Sequence, residues 1–254
     1  MEKVSFKNSR GLKLVGDFYK ADSNNIIIMA HGFINDRSSQ GRFDRLADRL
    51  QEENYNVLKF DFSGCGESDP DIIKLDKEID GLLSAIDFVK EKGFDKIGLF
   101  GNSLGGLVCL KAYSEDIETM VLTGPVTDSM VYSWEKFYSN KKMQELEEKG
   151  YLTLESEEIG TRKISKEILD AFSEIEQKEL LKDINVPILI IHGDKGEEEK
   201  ELLKRSKKAL KILPSDSQLK VVEDARHGIR EDYHIVIELT VDWLQRHFEI
   251  KKSN

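Results

Sequence analysis

Hydrophobic positions along the chain change their period, and the change organises the molecule. Residues 4–7 and 12–19 alternate polar with apolar around Asn8-Ser9-Arg10-Gly11, the pattern of a β-hairpin. From residue 25 the strand signals become short apolar runs, at 25–29 (NIIIM), 56–62, 96–100 (KIGLF), 119–123 (TMVLT), 187–191 (PILII) and 219–222. Unbroken runs of this kind suit strands covered on both faces. Helical spacing appears between them. Phe43, Leu46 and Leu50 give residues 42–53 one apolar face, and Ile79, Leu82, Leu83, Ile86 and Val89 mark a second helix ended by Gly93. Further helices are predicted over 104–113, 202–213 and 235–248. Alternating strands and helices predict an α/β fold, with a mostly parallel eight-stranded sheet, helices on both faces and an antiparallel hairpin at one edge.

Residues 126–183 break the alternation: they show no strand pattern and carry Trp134, Phe137, Tyr138, Tyr151 and Phe172 amid many charges. Connections this long inside an α/β domain are usually functional. The expectation is one domain over residues 1–254 with a small helical cap inserted at about 126–183. Trp134 and Phe137, with Met130 nearby, are the candidate substrate-binding residues for an acyl or aryl group; packing inside the cap would use the same residues equally well.

Composition narrows the function classes. A formal net charge of −10 argues against nucleic-acid binding, which needs a basic patch, and gives no help at an anionic membrane surface. The longest apolar runs are five or six residues, far short of a membrane span. Cys65 and Cys109 sit in no metal-binding spacing, and the amino terminus lacks a secretory pattern, so a reduced, cytoplasmic protein is expected.

The chemistry-bearing signal is Gly101-Asn102-Ser103-Leu104-Gly105-Gly106, a G-x-S-x-G motif between the predicted strand KIGLF and a predicted helix. Strand, sharp turn and helix in that order form a nucleophile elbow, with Ser103 as nucleophile and glycines where the turn leaves no room for side chains. The helix start aims the Leu104 amide at a developing oxyanion, and the Phe33 amide of His31-Gly32-Phe33 is the candidate second donor. His227, in Asp224-Ala225-Arg226-His227-Gly228 after a late strand, is the candidate base, in the chain order serine, acid, histidine. His31, His192, His234 and His247 read as structural.

Together with Phe60 to Ser68 (FDFSGCGES), VPILIIHGD and the 126–183 insertion, these motifs resemble the α/β-hydrolase superfamily over nearly the whole chain. Within it, the chain is most similar to the small bacterial and archaeal esterases that include cinnamoyl (feruloyl) esterases. The resemblance implies an α/β-hydrolase fold and a serine carboxylic-ester hydrolase that forms an acyl-enzyme. The implied partner is a small-molecule ester, with no metal or organic cofactor, no nucleic acid and no membrane; oligomeric state is left open. A thioesterase or amidase would use the same machinery. The pattern departs in one place. Such families carry the triad acid at H-G-x-x-D, and here Gly196 occupies the aspartate position. Glu197, one residue on with a longer side chain, is the first candidate, followed by Glu198 and Asp194, with Asp128 after the preceding strand. The glutamate run also suits the solvated first turn of a helix. An α/β-hydrolase-fold binding protein with an impaired triad is the alternative that Gly196 raises.

Overall fold

The computed structural model describes residues 1–157 and 159–250. Strands β1 (Glu2–Lys7) and β2 (Lys13–Tyr19) form the opening hairpin, followed by β3 (Asn25–Ala30), α1 (Arg42–Glu52) and β4 (Asn56–Phe60). A two-residue strand, β5 (Ile72–Ile73), leads into α2 (Leu75–Glu91), then β6 (Lys96–Asn102), α3 (Leu104–Lys111) and β7 (Ile117–Thr123). Next come α4 (Asn140–Lys149), β8 (Tyr151–Ser156), β9 (Gly160–Ser165), α5 (Lys166–Ala171) and α6 (Gln177–Leu181). The chain closes with β10 (Ile188–Gly193), α7 (Glu197–Ala209), β11 (Gln218–Val222) and α8 (Tyr233–His247).

Eight strands make one sheet in the order β1-β2-β4-β3-β6-β7-β10-β11. The pairs β1–β2 and β2–β4 are antiparallel, and every pair from β4 to β11 is parallel. This is the eight-stranded, mostly parallel sheet that the apolar runs predict. Because strand side chains alternate between faces, β3 serves both layers. Ile26 and Ile28 join the core beneath α2 and α3, while Ile27 and Met29 join the core beneath α1 and α8. Full burial of such side chains stabilises by roughly 1.5–3 kcal/mol each. Among the described residues, no helix is long and apolar enough to cross a membrane.

The segment between β7 and β10 differs from the purely helical insertion expected from sequence. β8 and β9 pair antiparallel, and β9 adds β5 in parallel, giving a second, three-stranded sheet. The pattern hid these strands because charge interrupts their alternation. Arg162 faces inward and is buried beside Ile164, where a strand signal would show an apolar residue. Their third partner, β5, lies some ninety residues earlier in the chain, beyond any local signal.

Candidate active site

The parallel strands end in three loops that converge on Ser103. At the end of β6 the backbone turns sharply into α3, and Ser103 takes φ 54°, ψ −116°. A non-glycine residue held there costs on the order of 1–3 kcal/mol and persists only when its surroundings impose it. The surroundings are tight: a Cβ on Gly105 would lie 2.1 Å from the Ala30 carbonyl oxygen, and one on Gly101 would lie 2.7 Å from that of Gly105. The Ser103 amide donates to the Thr123 carbonyl at 2.8 Å, tying the elbow to β7.

The β3 loop reaches the same point. A Cβ on Gly32 would lie 3.5 Å from the Ser103 Cβ, so the Gly32-Phe33 backbone passes directly beside the hydroxyl. His31, fully buried, holds this loop: Nδ1–H donates to the Gly32 carbonyl at 2.9 Å and Nε2 accepts the Phe62 amide at 3.3 Å. Burial lowers its pKa, consistent with a neutral ring that both donates and accepts. Asp61, from the FDFSGCGES motif, accepts the amides of Arg37 and Glu67 and so fastens this loop to its neighbour. Phe33 follows Gly32 on this loop, and Leu104 opens α3 directly after Ser103.

His227 arrives on the loop after β11. Its Nε2 lies 2.9 Å from Ser103 Oγ, and its Nδ1 lies 2.5 Å from Glu199 Oε2. A carboxylate only accepts, so Nδ1 carries the imidazole proton and Nε2 accepts the Ser103 hydroxyl. Burial alone would lower the His227 pKa, but the Glu199 hydrogen bond and charge, with Glu198 adding to them and Arg42 opposing, hold it above 6.5. Burial alone would likewise raise the Glu199 carboxyl, yet hydrogen bonds from His192 and His227 bring it down to about 2.

The carboxylate at the histidine is therefore Glu199, not Glu197. Helix α7 starts five residues before the predicted 202, so the acidic run forms its first turn. Gly196 caps it with φ 96°, a conformation open to glycine and few other residues. The turn leaves Glu197 and Glu198 exposed and rotates Glu199 inward to 1% exposure. Asp194 accepts the Asp224 amide at 2.8 Å and so pins the histidine loop, while Asp128 accepts the amide of its neighbour Ser129. Gly196 thus does not deprive His227 of a carboxylate. A legible signal existed: Glu199, Leu202, Leu203 and Ser206 follow the i, i+3, i+4, i+7 spacing of one buried helix face.

Above Ser103 lies a cavity of about 430 Å³, a size suited to a small ligand. Phe33, Tyr132, Trp134, Phe137, Tyr138 and Phe172 wall it. Trp134 stacks on Tyr132 at 4.7 Å and donates its indole N–H to the Leu169 carbonyl at 3.2 Å, so it is part of both the cavity wall and the insertion's own packing. Phe137 lines the cavity but is 63% exposed. Met130 is buried in the core. Tyr132, not singled out in the sequence, bridges to Glu198 with a 3.0 Å hydrogen bond from its hydroxyl. Of the other histidines, His247 stacks on Trp243 and His234 is exposed.

The profile of the Hydrolase_4 family, described as serine aminopeptidase, S33, matches residues 21–166 of this chain. A Mycoplasma genitalium protein named as an esterase/lipase is 27% identical over 124 residues, 46% of this chain and 42% of that protein. The matched region spans about two fifths of the length of the curated relatives. Among solved structures, the α/β hydrolase GrgF from Penicillium sp. sh18 superposes with TM-score 0.79 at 18% identity, covering 97% of this chain and 98% of that one. Est1E from Butyrivibrio proteoclasticus, solved with ferulic acid, gives TM-score 0.75 at 19% identity over 96% of this chain and 98% of that one. These likenesses show an α/β-hydrolase fold.

Proposed function

This chain belongs to the Hydrolase_4 family (serine aminopeptidase, S33) of α/β-hydrolases, and from that premise we propose that it hydrolyses carboxylic esters of small acyl or aryl acids through an acyl-enzyme. The observation that carries the reading is the continuous bonded line from Ser103 Oγ through His227 to Glu199. Ser103 Oγ attacks the acyl carbonyl as His227 Nε2 takes its proton. Glu199 stabilises the imidazolium, and the Phe33 and Leu104 amides donate to the oxyanion. His227 then protonates the leaving alcohol, and a water activated by the same nitrogen releases the acid. The insertion over 126–183 acts as the cap of a single domain, with Trp134 and Phe137 contacting the acyl or aryl group. The name of the Mycoplasma genitalium relative, an esterase/lipase, favours ester substrates. Two buried free thiols, Cys65 and Cys109, suit a reducing cytoplasm.

The test is labelling with a fluorophosphonate probe, with Ser103→Ala as control, followed by turnover of 4-nitrophenyl esters. Rapid labelling lost in the variant, with turnover down at least about 10³-fold, is expected. Absent labelling of the wild-type chain would sink the hydrolase reading. Labelling with turnover of anilides or thioesters in preference to esters would replace only the substrate class.

A further inference from the structure

Behind the triad acid lies a second histidine that the mechanism above does not use. His192, at the end of β10, is fully buried, and its Nδ1 lies 2.7 Å from Glu199 Oε1. The Gly193 amide donates to the same oxygen at 2.9 Å. Glu199 therefore has one oxygen committed to β10 and the other committed to His227. On the far side of the ring, His192 Nε2 lies 2.9 Å from Ser206 Oγ, and Ser206 Oγ lies 3.3 Å from Thr127 Oγ1.

With a singly protonated His192 ring, donor and acceptor chemistry gives this line one direction. Glu199 only accepts, so His192 carries its proton on Nδ1 and accepts at Nε2. Ser206 then donates to Nε2 and receives a hydrogen bond from Thr127. Each member is satisfied in one direction only, and that direction ends with a bare Nε2 on His227 facing Ser103. The arrangement compensates for Gly196. Gly196 puts no side chain on the loop after β10, and Glu199 reaches His227 from the first turn of α7. Three side-chain torsions separate its carboxylate from the helix backbone. Holding so long a side chain in one rotamer costs conformational entropy, and two donors on the outer oxygen offset that.

We propose that His192 is a positioning residue for the hydrolytic reaction: its Nδ1–H, relayed from Thr127 and Ser206, holds Glu199 in the one orientation that orients His227. The proposal rests on the serine-hydrolase reading and assigns a role within it.

Two substitutions test it. His192→Leu keeps apolar bulk and removes the donor, while His192→Asn places an amide N–H near the original Nδ1. The leucine variant should lose about 10²-fold in kcat, as expected when a reacting group moves by around an ångström. KM should stay within about twofold, and the acid limb of the pH–rate profile should move to lower pH as the Glu199 charge loosens. The asparagine variant should recover most of kcat and return the limb. Wild-type kcat and an unmoved limb in a folded leucine variant would overturn the proposal. So would equal losses in both variants with an unmoved limb, the signature of a merely structural role. If the leucine variant does not fold, Ser206→Ala carries the test, since it leaves His192 in place and strips Nε2 of its donor. A several-fold lower kcat at constant KM with a shifted limb supports the proposal, and unchanged kcat and limb overturn it. Fluorophosphonate labelling of the wild-type chain is independent of all three variants, so failure of the underlying reading stays distinguishable.

Discussion

Replacing Glu199 by glutamine exchanges one carboxylate oxygen for an NH₂ group at nearly constant shape. Glu199 is 1% exposed and accepts from His192 Nδ1, the Gly193 amide and His227 Nδ1. The glutamine oxygen keeps the two donors of β10, which together outbid the single donor of His227. Its NH₂ then faces His227, where two donors would oppose each other at 2.5 Å. The ring escapes by moving its proton to Nε2, and in that tautomer it cannot accept the Ser103 proton. Loss of the correct tautomer costs about 10⁴-fold in kcat, equivalent to about 5 kcal/mol of transition-state stabilisation. Stability should fall far less, by about 1–3 kcal/mol for one compromised buried hydrogen bond. Glu197→Gln, on an exposed side chain, should leave turnover within about threefold. The assay is stopped-flow hydrolysis of a 4-nitrophenyl ester, normalised by active-site titration, with circular dichroism to verify folding. If Glu199→Gln turned over within tenfold of wild type, or if Glu197→Gln matched its loss, the argument from tautomers would be wrong.

Other consequences follow from the same geometry. Because Glu199 holds the His227 pKa above 6.5, kcat/KM should rise with pH through an apparent pKa above that value; a limb below 6.5 contradicts the coupling. The same raised pKa makes a stability contribution that is full below pH 6.5 and is lost as pH rises through the folded value, so the Tm advantage of wild type over His227→Gln should narrow across that interval. Glu78 is buried with Oε2 unpartnered, and desolvation pushes its pKa up to about 8. An acid raised in the fold destabilises increasingly as pH climbs from 4.5 to 8, so Glu78→Gln should gain Tm on wild type over that range; a constant difference refutes this. Phe137→Ala should reduce kcat/KM for aryl esters about fivefold relative to short alkyl esters, corresponding to about 1 kcal/mol of ring contact, with little change in Tm because the ring is 63% exposed. An unchanged substrate ranking would remove Phe137 from the binding site. Gly105→Ala drives a Cβ to 2.1 Å from the Ala30 carbonyl oxygen and should yield little soluble protein; a stable, active variant would refute the packing of the elbow.

Much of this architecture was legible in the chain itself, for reasons that are local. Strands covered on both faces must be apolar throughout, so NIIIM and KIGLF announce themselves. A sharp strand-to-helix turn needs small residues near its apex, so Gly101, Ser103 and Gly105 mark the elbow without any partner in view. The late position of His227 follows from the same strand–loop logic. The insertion is less legible. Its hairpin buries Arg162 on an inward position, and its third strand is two residues long and distant in sequence. The acid depended on rotation rather than on sequence distance from the strand. Three consecutive glutamates are chemically alike, and counting along a loop selects Glu197. Whether a loop or a helix follows Gly196 decides the matter, because a helix turns each residue by about 100°. That helix begins where the left-handed Gly196 ends the loop, and its phase is set by packing Leu202, Leu203 and Ser206 against the sheet. Only then does Glu199 face inward, between two histidines that lie 35 residues apart and meet because β10 and β11 run side by side.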